Sequence, residues 1–424
     1  MCKLLKIVEI NQVIGDMKYH MQRVVFIYER KIPTIEILHS IFNNNETNIV
    51  GVECVFLKID CIKWDQLRNV SVVVFIRCQD LLSQLMLVEL KKQGCFCVQF
   101  YDDDLNCIPM EEKRYVQRLA WRKKAIALGF SKTDCILVSN PLLGEKYSKL
   151  IPSERFATIN TPVQNELKNV SYNIESNDEI KILYAASPKH LVMFDKYIMP
   201  IIPQLVEKYH KRVSFSFIGV KPDLSQFDGQ LKYNCYAAMP LEDYREFTKD
   251  GHFQIGIAPL ESNEFTQYKY YNKFIEYTIV GAVGVYSDVP PYNLVIRNQE
   301  NGFLAQNDAN SWLKALCNAI DDQDLRKKCF DSAYSFLKNE RTYSSVLNSV
   351  VEDLPELKHY SVCNIRRWAL FRVKAKYTFY RLIEIIVLLS HFMINEGPKN
   401  VAKRIKNYYF EKNTRGREKV DINE

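Results

Sequence analysis

No Cys-x-x-Cys unit occurs among the 12 cysteines of this 424-residue chain, and its 7 histidines show no ligand spacing, so a zinc site is not expected. The cysteines are scattered, several inside apolar runs, as Cys95 and Cys97 are beside Phe96 and Val98. That is the pattern of free buried thiols in a reducing compartment. The first residues, Met1-Cys2-Lys3-Leu4-Leu5-Lys6, lack the apolar stretch of a signal peptide, and a cytoplasmic location is expected. Neither of the first two apolar runs, 23–28 and 70–77, leads into Gly-x-Gly-x-x-Gly, which disfavours a dinucleotide-dependent dehydrogenase. The apolar run 382–394, broken by Glu384, Ser390 and His391, falls short of the roughly 20 residues that span a bilayer.

What is present alternates strand and helix. A hydrophobic content of 47% supports ordinary cores, and the length suggests two or three domains. Residues 23–28, 70–77 and 95–101 read as buried strands, with helices at 33–38, after Pro33, and at 81–92, before Gly94. Such β-α-β units force a parallel sheet. A helix at 115–128, a strand at 135–138 and a helix at 141–150, capped by Ser139 or Asn140 with Pro141 following, complete a first domain, 1–164. The polar stretch 165–179 reads as a linker. A second domain, 180–355, opens with a strand at 180–186 and the loop Ser187-Pro188-Lys189-His190. Small residues at a strand end followed by Lys189 and His190 suit a diphosphate, although an isolated histidine is more often a plain surface residue. A long helix at 194–210 and a strand at 213–218 ending in Gly219 follow.

The most informative stretch is 253–303. A short strand stopped by Pro259 leads through a loop to Lys269-Tyr270-Tyr271-Asn272-Lys273-Phe274-Ile275-Glu276-Tyr277, where the spacing becomes helical from Tyr268 and Gly281 ends the helix. Lys269, Lys273 and Glu276 would then meet near a helix N-terminus just beyond a strand end, a place that favours phosphate. Ordinary surface ion pairing is the competing explanation of this triad. The order Pro-Leu, loop, Lys-x-x-x-Lys-Phe-x-Glu-Tyr, Gly, strand, Asn301-Gly302-Phe303-Leu304 and a Trp-containing helix resembles the donor domain of GT-B retaining glycosyltransferases of the family 4 type, as found in polysaccharide synthesis. The resemblance implies two doubly wound parallel-sheet (Rossmann-like) α/β domains facing a cleft. It also implies that Glu276 holds the ribose of a nucleotide sugar, and that no metal or other cofactor is needed. The fuller signature has a second glutamate where this chain has Tyr268; Glu261 and Glu264 lie in the loop before it. Lys269, Lys273 and Glu276 are the expected catalytic set, and Ser187, Lys189, His190, Gly219, Glu264 and Tyr277 the expected donor-binding set.

On the first domain, Asp102-Asp103-Asp104 follows the strand ending at Tyr101. Three readings stand open for these carboxylates: capping of the next helix, contact with acceptor hydroxyls, or a divalent ion. Residues 366–424 carry 14 basic and 6 acidic side chains, so the chain's net charge of +7 resides in this helical tail, 356–424. Aromatics interleave with the cations over 366–410, which suits an anionic membrane surface; packing on the protein body is the alternative, and no nucleic-acid motif accompanies the charge. The expectation is a cytoplasmic, peripheral glycosyltransferase that moves a sugar from a nucleotide diphosphate to a saccharide or lipid-linked acceptor. A GT-B-fold epimerase, or a non-catalytic lipid- or polyanion-binding partner with a decayed donor site, would share the same pattern.

Overall fold

The computed structural model describes residues 21–44, 48–105, 116–174, 179–363 and 365–396. The expectations for Met1 to Lys6, for residues 175–178 of the linker and for the tail beyond 396 lie outside these. The first sheet contains β1 (Gln22–Tyr28), β2 (Val52–Lys58), β3 (Val70–Ile76), β4 (Phe96–Tyr101), β5 (Cys135–Val138) and β6 (Phe156–Thr158), all parallel in the order β2-β1-β3-β4-β5-β6. Alternation along β1 sends Val24 and Phe26 to one core and Val25 and Ile27 to the other, so both faces of the sheet are covered. The covering helices include α1 (Pro33–Phe42), α2 (Leu81–Lys92), α3 (Val116–Phe130) and α4 (Pro141–Ser148).

The second sheet repeats this plan with β7 (Ile180–Ala185), β8 (Val213–Ile218), β9 (Lys232–Tyr236), β10 (Ile255–Ala258), β11 (Val283–Ser287) and β12 (Phe303–Ala305). Its order is β12-β11-β10-β7-β8-β9, again parallel throughout. From β7 the chain winds outward to β9 and then returns to the other side of β7 as β10. The crevice at the carboxyl ends of β7 and β10 is therefore a topological switch point, where open α/β sheets bind ligands.

Several local readings change. The helix expected over 194–210 is two helices, α5 (Leu191–Tyr197) and α6 (Ile202–Tyr209), because Pro200 and Pro203 interrupt it. Strands β2, β6, β9 and β12 and helix α7 (Leu241–Asp250) have no counterpart in the sequence reading. The helix carrying Glu276, α8, covers Asn272–Ile279, leaving Lys269 in extended backbone before it. The carbonyls of Gln267 and Lys269 are bound by the Asn140 side chain of the first domain at 3.1 and 2.8 Å, which replaces the helical turn.

The domain edges also move. Val163, Leu167 and Tyr172 are buried in the second domain, and Asn173 donates to the carbonyls of Phe253 and Val280, so the described part of the linker is built into that domain. After α9 (Ala309–Asp321) and α10 (Gln323–Glu340), the chain returns to the first domain. Helix α11 (Tyr343–Asp353) places Val346, Leu347 and Val350 in the first domain's core, ahead of the expected boundary at 355. The outgoing and returning segments touch where the Val163 amide donates to the Arg341 carbonyl at 2.8 Å. Helix α12 (Trp368–Glu396) then buries Ala369, Leu370 and Val373 in the same cluster as Leu85 and Leu90 of α2.

Candidate active site

A cavity of about 400 Å³ opens at the switch point of the second sheet. Its walls are the end of β7 (Tyr184 to Ser187), the end of β10 (Ile257 to Leu260), Gly219 after β8, and Lys269, Asn272, Lys273 and Glu276. His190 and Tyr244 also line it. Gly219 has φ +78°, and a Cβ there would lie 2.5 Å from the Ala186 carbonyl oxygen. Only glycine lets the two strand ends approach this closely.

The Glu276 carboxylate is fixed from two sides. Lys273 Nζ stands 2.5 Å from Oε2, and the Tyr244 hydroxyl donates to the same oxygen at 3.0 Å. Among the described residues, Oε1 receives no hydrogen bond, so one oxygen is anchored while the other remains available to a ligand hydroxyl. Burial, reinforced by the Glu276 charge, raises the Tyr244 phenol well above its ordinary range, which keeps it a donor. Lys269 makes no ion pair among the described residues; its ammonium lies 5.3 Å from the centre of the Phe265 ring. Burial lowers its pKa from the ordinary 10.5, with the Asp103 charge opposing the shift. The His190 imidazole is likewise pushed below 6.5, first by burial and then by the fields of Lys269 and Lys273. Three nitrogen-bearing side chains thus converge on one small space.

A second cavity of about 400 Å³ lies on the first domain's side of the gap. Thr34, Asp102, Asp103, Ser139 and Asn160 line it from the first domain, and Phe265, Lys269, Tyr270 and Asn272 from the second. Lys269, Tyr270 and Asn272 therefore form a wall common to both cavities. Arg77 bridges two of the carboxylates, at 2.9 Å from Asp102 and 3.6 Å from Asp103, and Thr34 donates to Asp102 at 2.6 Å. Burial and the neighbouring Asp102 raise the Asp103 pKa against the pull of Arg77 and Lys269. Asp104 turns away: it is fully buried, accepting from Lys146 at 2.7 Å and from the Tyr147 hydroxyl at 2.8 Å. The three carboxylates do not converge, and among the described residues no group of three potential ligands is placed to hold a metal ion.

Of the residues singled out by sequence, Ser187, His190, Gly219, Lys269, Lys273 and Glu276 line the first cavity, and Asp102 and Asp103 the second. Four do not take the expected place. Lys189, in the Pro188–His190 turn, is exposed and outside the lining. Glu264 is exposed in its loop, away from both cavities. Tyr277 lies beneath the cavity floor, its hydroxyl donating to the Ile257 carbonyl at 2.6 Å, since it is on the core side of α8. Asp104 is held within the first domain by Lys146 and Tyr147. Tyr268, at the position of the absent glutamate, packs toward the first domain with Lys146 4.6 Å from its ring centre. Tyr244, Arg77, Thr34 and Asn140 were not assigned site roles by sequence reasoning. Topology brings them in, and only Asn140, as a helix cap, left a local signal.

The architecture matches solved structures over nearly their full lengths. HepE from Anabaena in complex with UDP aligns with a TM-score of 0.53 at 9% identity, covering 79% of this chain and 100% of that one. The fold is GT-B. Sucrose-phosphate synthase from Thermosynechococcus elongatus gives a TM-score of 0.54 at 12% identity, over 79% of this chain and 99% of that one. The lipopolysaccharide outer core galactosyltransferase WaaB, in its apo form, gives 0.52 at 12% identity over 78% and 99%. No family model matches the sequence, and no curated protein matches it. In this GT-B chain the switch-point cavity of the C-terminal domain faces the N-terminal domain across Lys269.

Proposed function

We propose that this chain is a glycosyltransferase that moves a sugar from a nucleotide-diphosphate donor to a saccharide or lipid-linked acceptor in polysaccharide synthesis, with retention of anomeric configuration. The observation that carries the reading is the common wall. Lys269 borders both a cationic cavity at a sheet switch point and a carboxylate-lined cavity on the opposite domain. A group transferred between two substrates needs such adjacency, since holding both reactants in line supplies much of the rate. The UDP bound by HepE, a structure of the same fold, supports a nucleotide in the first cavity.

In this reading the free oxygen of Glu276 accepts from a ribose hydroxyl while Lys273 and Tyr244 hold its partner oxygen. As the bond from sugar to diphosphate breaks, negative charge grows on the leaving phosphate. Lys269 and Lys273, already placed on the cavity wall, stabilise that charge with little reorganisation. Asp103, with its raised pKa, faces the acceptor side and accepts from, or shares a proton with, the attacking hydroxyl. A lipid-linked acceptor puts the enzyme on the cytoplasmic face of the plasma membrane.

Thermal-shift and calorimetric titration with a panel of nucleoside diphosphates and nucleotide sugars tests the reading. One nucleotide should bind and raise the melting temperature, and Glu276→Ala should weaken its binding about tenfold or more. Absence of binding by every nucleotide, or binding unaffected by Glu276→Ala, would reject it.

A further inference from the structure

Helix α12 is apolar on two opposite sides, and among the described residues only one is covered. Ala369, Leu370 and Val373 dock on α2, with Tyr377 packed beside them. Trp64 Nε1 donates to the Ile365 carbonyl at 3.0 Å and Arg372 pairs with Glu89 at 3.1 Å, fastening the start of the helix. The other side carries Trp368, Phe371, Ala375, Phe379, Leu382, Ile386 and Met393, all exposed, the large ones by 49% to 70%. Most steps along this series are of three or four residues, so the side chains form a single stripe along the helix. From Thr378 onward, every residue whose side chain is described is exposed except the half-buried Ile383.

Cations border the stripe. Arg372 and Lys376 lie along one margin, Lys374 and Arg381 along the other, between the docked face and the outward apolar one. All four are exposed. An aromatic and aliphatic stripe with basic residues on both margins fits a bilayer interface: apolar side chains enter the acyl boundary while long cationic stems reach back to anionic headgroups. No helix among the described residues is long and apolar enough to cross a membrane, so α12 would lie on the surface. We infer that the outward stripe of α12 is a docking surface for a bilayer bearing anionic lipid, and that it fixes the first domain to the membrane through α2. This goes beyond the transfer reading and does not depend on it, because no residue of the stripe lines either cavity.

The test uses the full chain in cosedimentation with vesicles of phosphatidylcholine alone and of phosphatidylcholine with equal phosphatidylglycerol. The chain should pellet with the mixed vesicles at low salt and be released by high salt. Phe371→Ser, Phe379→Ser and Ile386→Ser combined should weaken binding about a hundredfold, since three partly inserted side chains are lost. The circular dichroism of this variant should be unchanged, because the substituted residues are already in water. Lys374→Gln, Lys376→Gln and Arg381→Gln combined should remove most of the preference for the anionic vesicles. No vesicle binding by the wild-type chain, or equal binding by the apolar variant, would overturn the inference. So would a wild-type dimer in sedimentation velocity that the apolar substitutions disperse without any vesicle binding, which would assign the stripe to a second copy of the chain.

Discussion

Asn140 Nδ2 lies 2.8 Å from the carbonyl oxygen of Lys269, so a side chain of the first domain holds the backbone of the second at the wall common to both cavities. The Asn140 amide oxygen accepts from the Leu142 amide at 2.9 Å, capping α4, which orients the amide. The position of Lys269 is therefore set by the start of a helix in the other domain.

Asn140→Ala should lower kcat/KM about tenfold by releasing the Lys269 loop, with a fall of only about 1–2 kcal/mol in stability for the lost cap and hydrogen bonds. Asn140→Asp keeps the cap but places a carboxylate against two carbonyls, and should impair transfer more than Asn140→Ala while costing less helix stability. Steady-state kinetics together with chemical denaturation separate these outcomes.

Tyr244→Phe removes the second anchor of the Glu276 carboxylate and leaves the ring. The donor KM should rise about three- to tenfold with kcat little changed, the loss of one charge-assisted hydrogen bond of the ground-state complex. A kcat effect with unchanged KM would place Tyr244 in the chemical step instead.

The pH behaviour follows from two lowered pKa values. Loss of the Lys269 proton should bring down the alkaline limb of kcat/KM below the ordinary lysine value of 10.5. Lys269→Arg, with a side chain that stays charged, should move that limb upward. For His190 the folded state resists protonation, so in acid the unfolded chain binds more protons. Stability should fall as pH drops through 6.5 toward the lower folded value, and His190→Gln should flatten that part of the stability profile.

Gly219→Ala forces a Cβ to within 2.5 Å of the Ala186 carbonyl oxygen in a left-handed conformation. The substitution should destabilise the second domain by about 1–3 kcal/mol and weaken nucleotide binding in parallel. Differential scanning calorimetry with and without ligand measures both.

Much of this organisation was legible in the chain, and what escaped has physical reasons. Strands β3, β4 and β5 announce themselves because a strand buried on both faces is a nearly unbroken run of apolar residues, whereas β8, Val-Ser-Phe-Ser-Phe-Ile, shows instead the alternation of a half-buried strand. Strand β9, Lys-Tyr-Asn-Cys-Tyr, is an exposed edge with nothing comparable to show, and α7 buries only Thr248. Within the site, Lys273 and Glu276 were readable because they are neighbours on one helix. Tyr244 reaches Glu276 from 32 residues away, and Arg77 reaches Asp102 from another strand end; local spacing does not encode such meetings. Lys269 was placed on the helix by its period, whereas the competing hydrogen bond from Asn140, a residue of the other domain, holds it in the loop.

The central claim is that Lys269 grips the diphosphate of a nucleotide donor, and calorimetric titration of wild-type and Lys269→Ala protein tests it most directly. The nucleoside diphosphate that binds best should lose about tenfold or more in affinity on substitution, while the corresponding nucleoside without phosphates should bind both proteins alike. Equal losses for nucleoside and nucleoside diphosphate, or none for either, would contradict it.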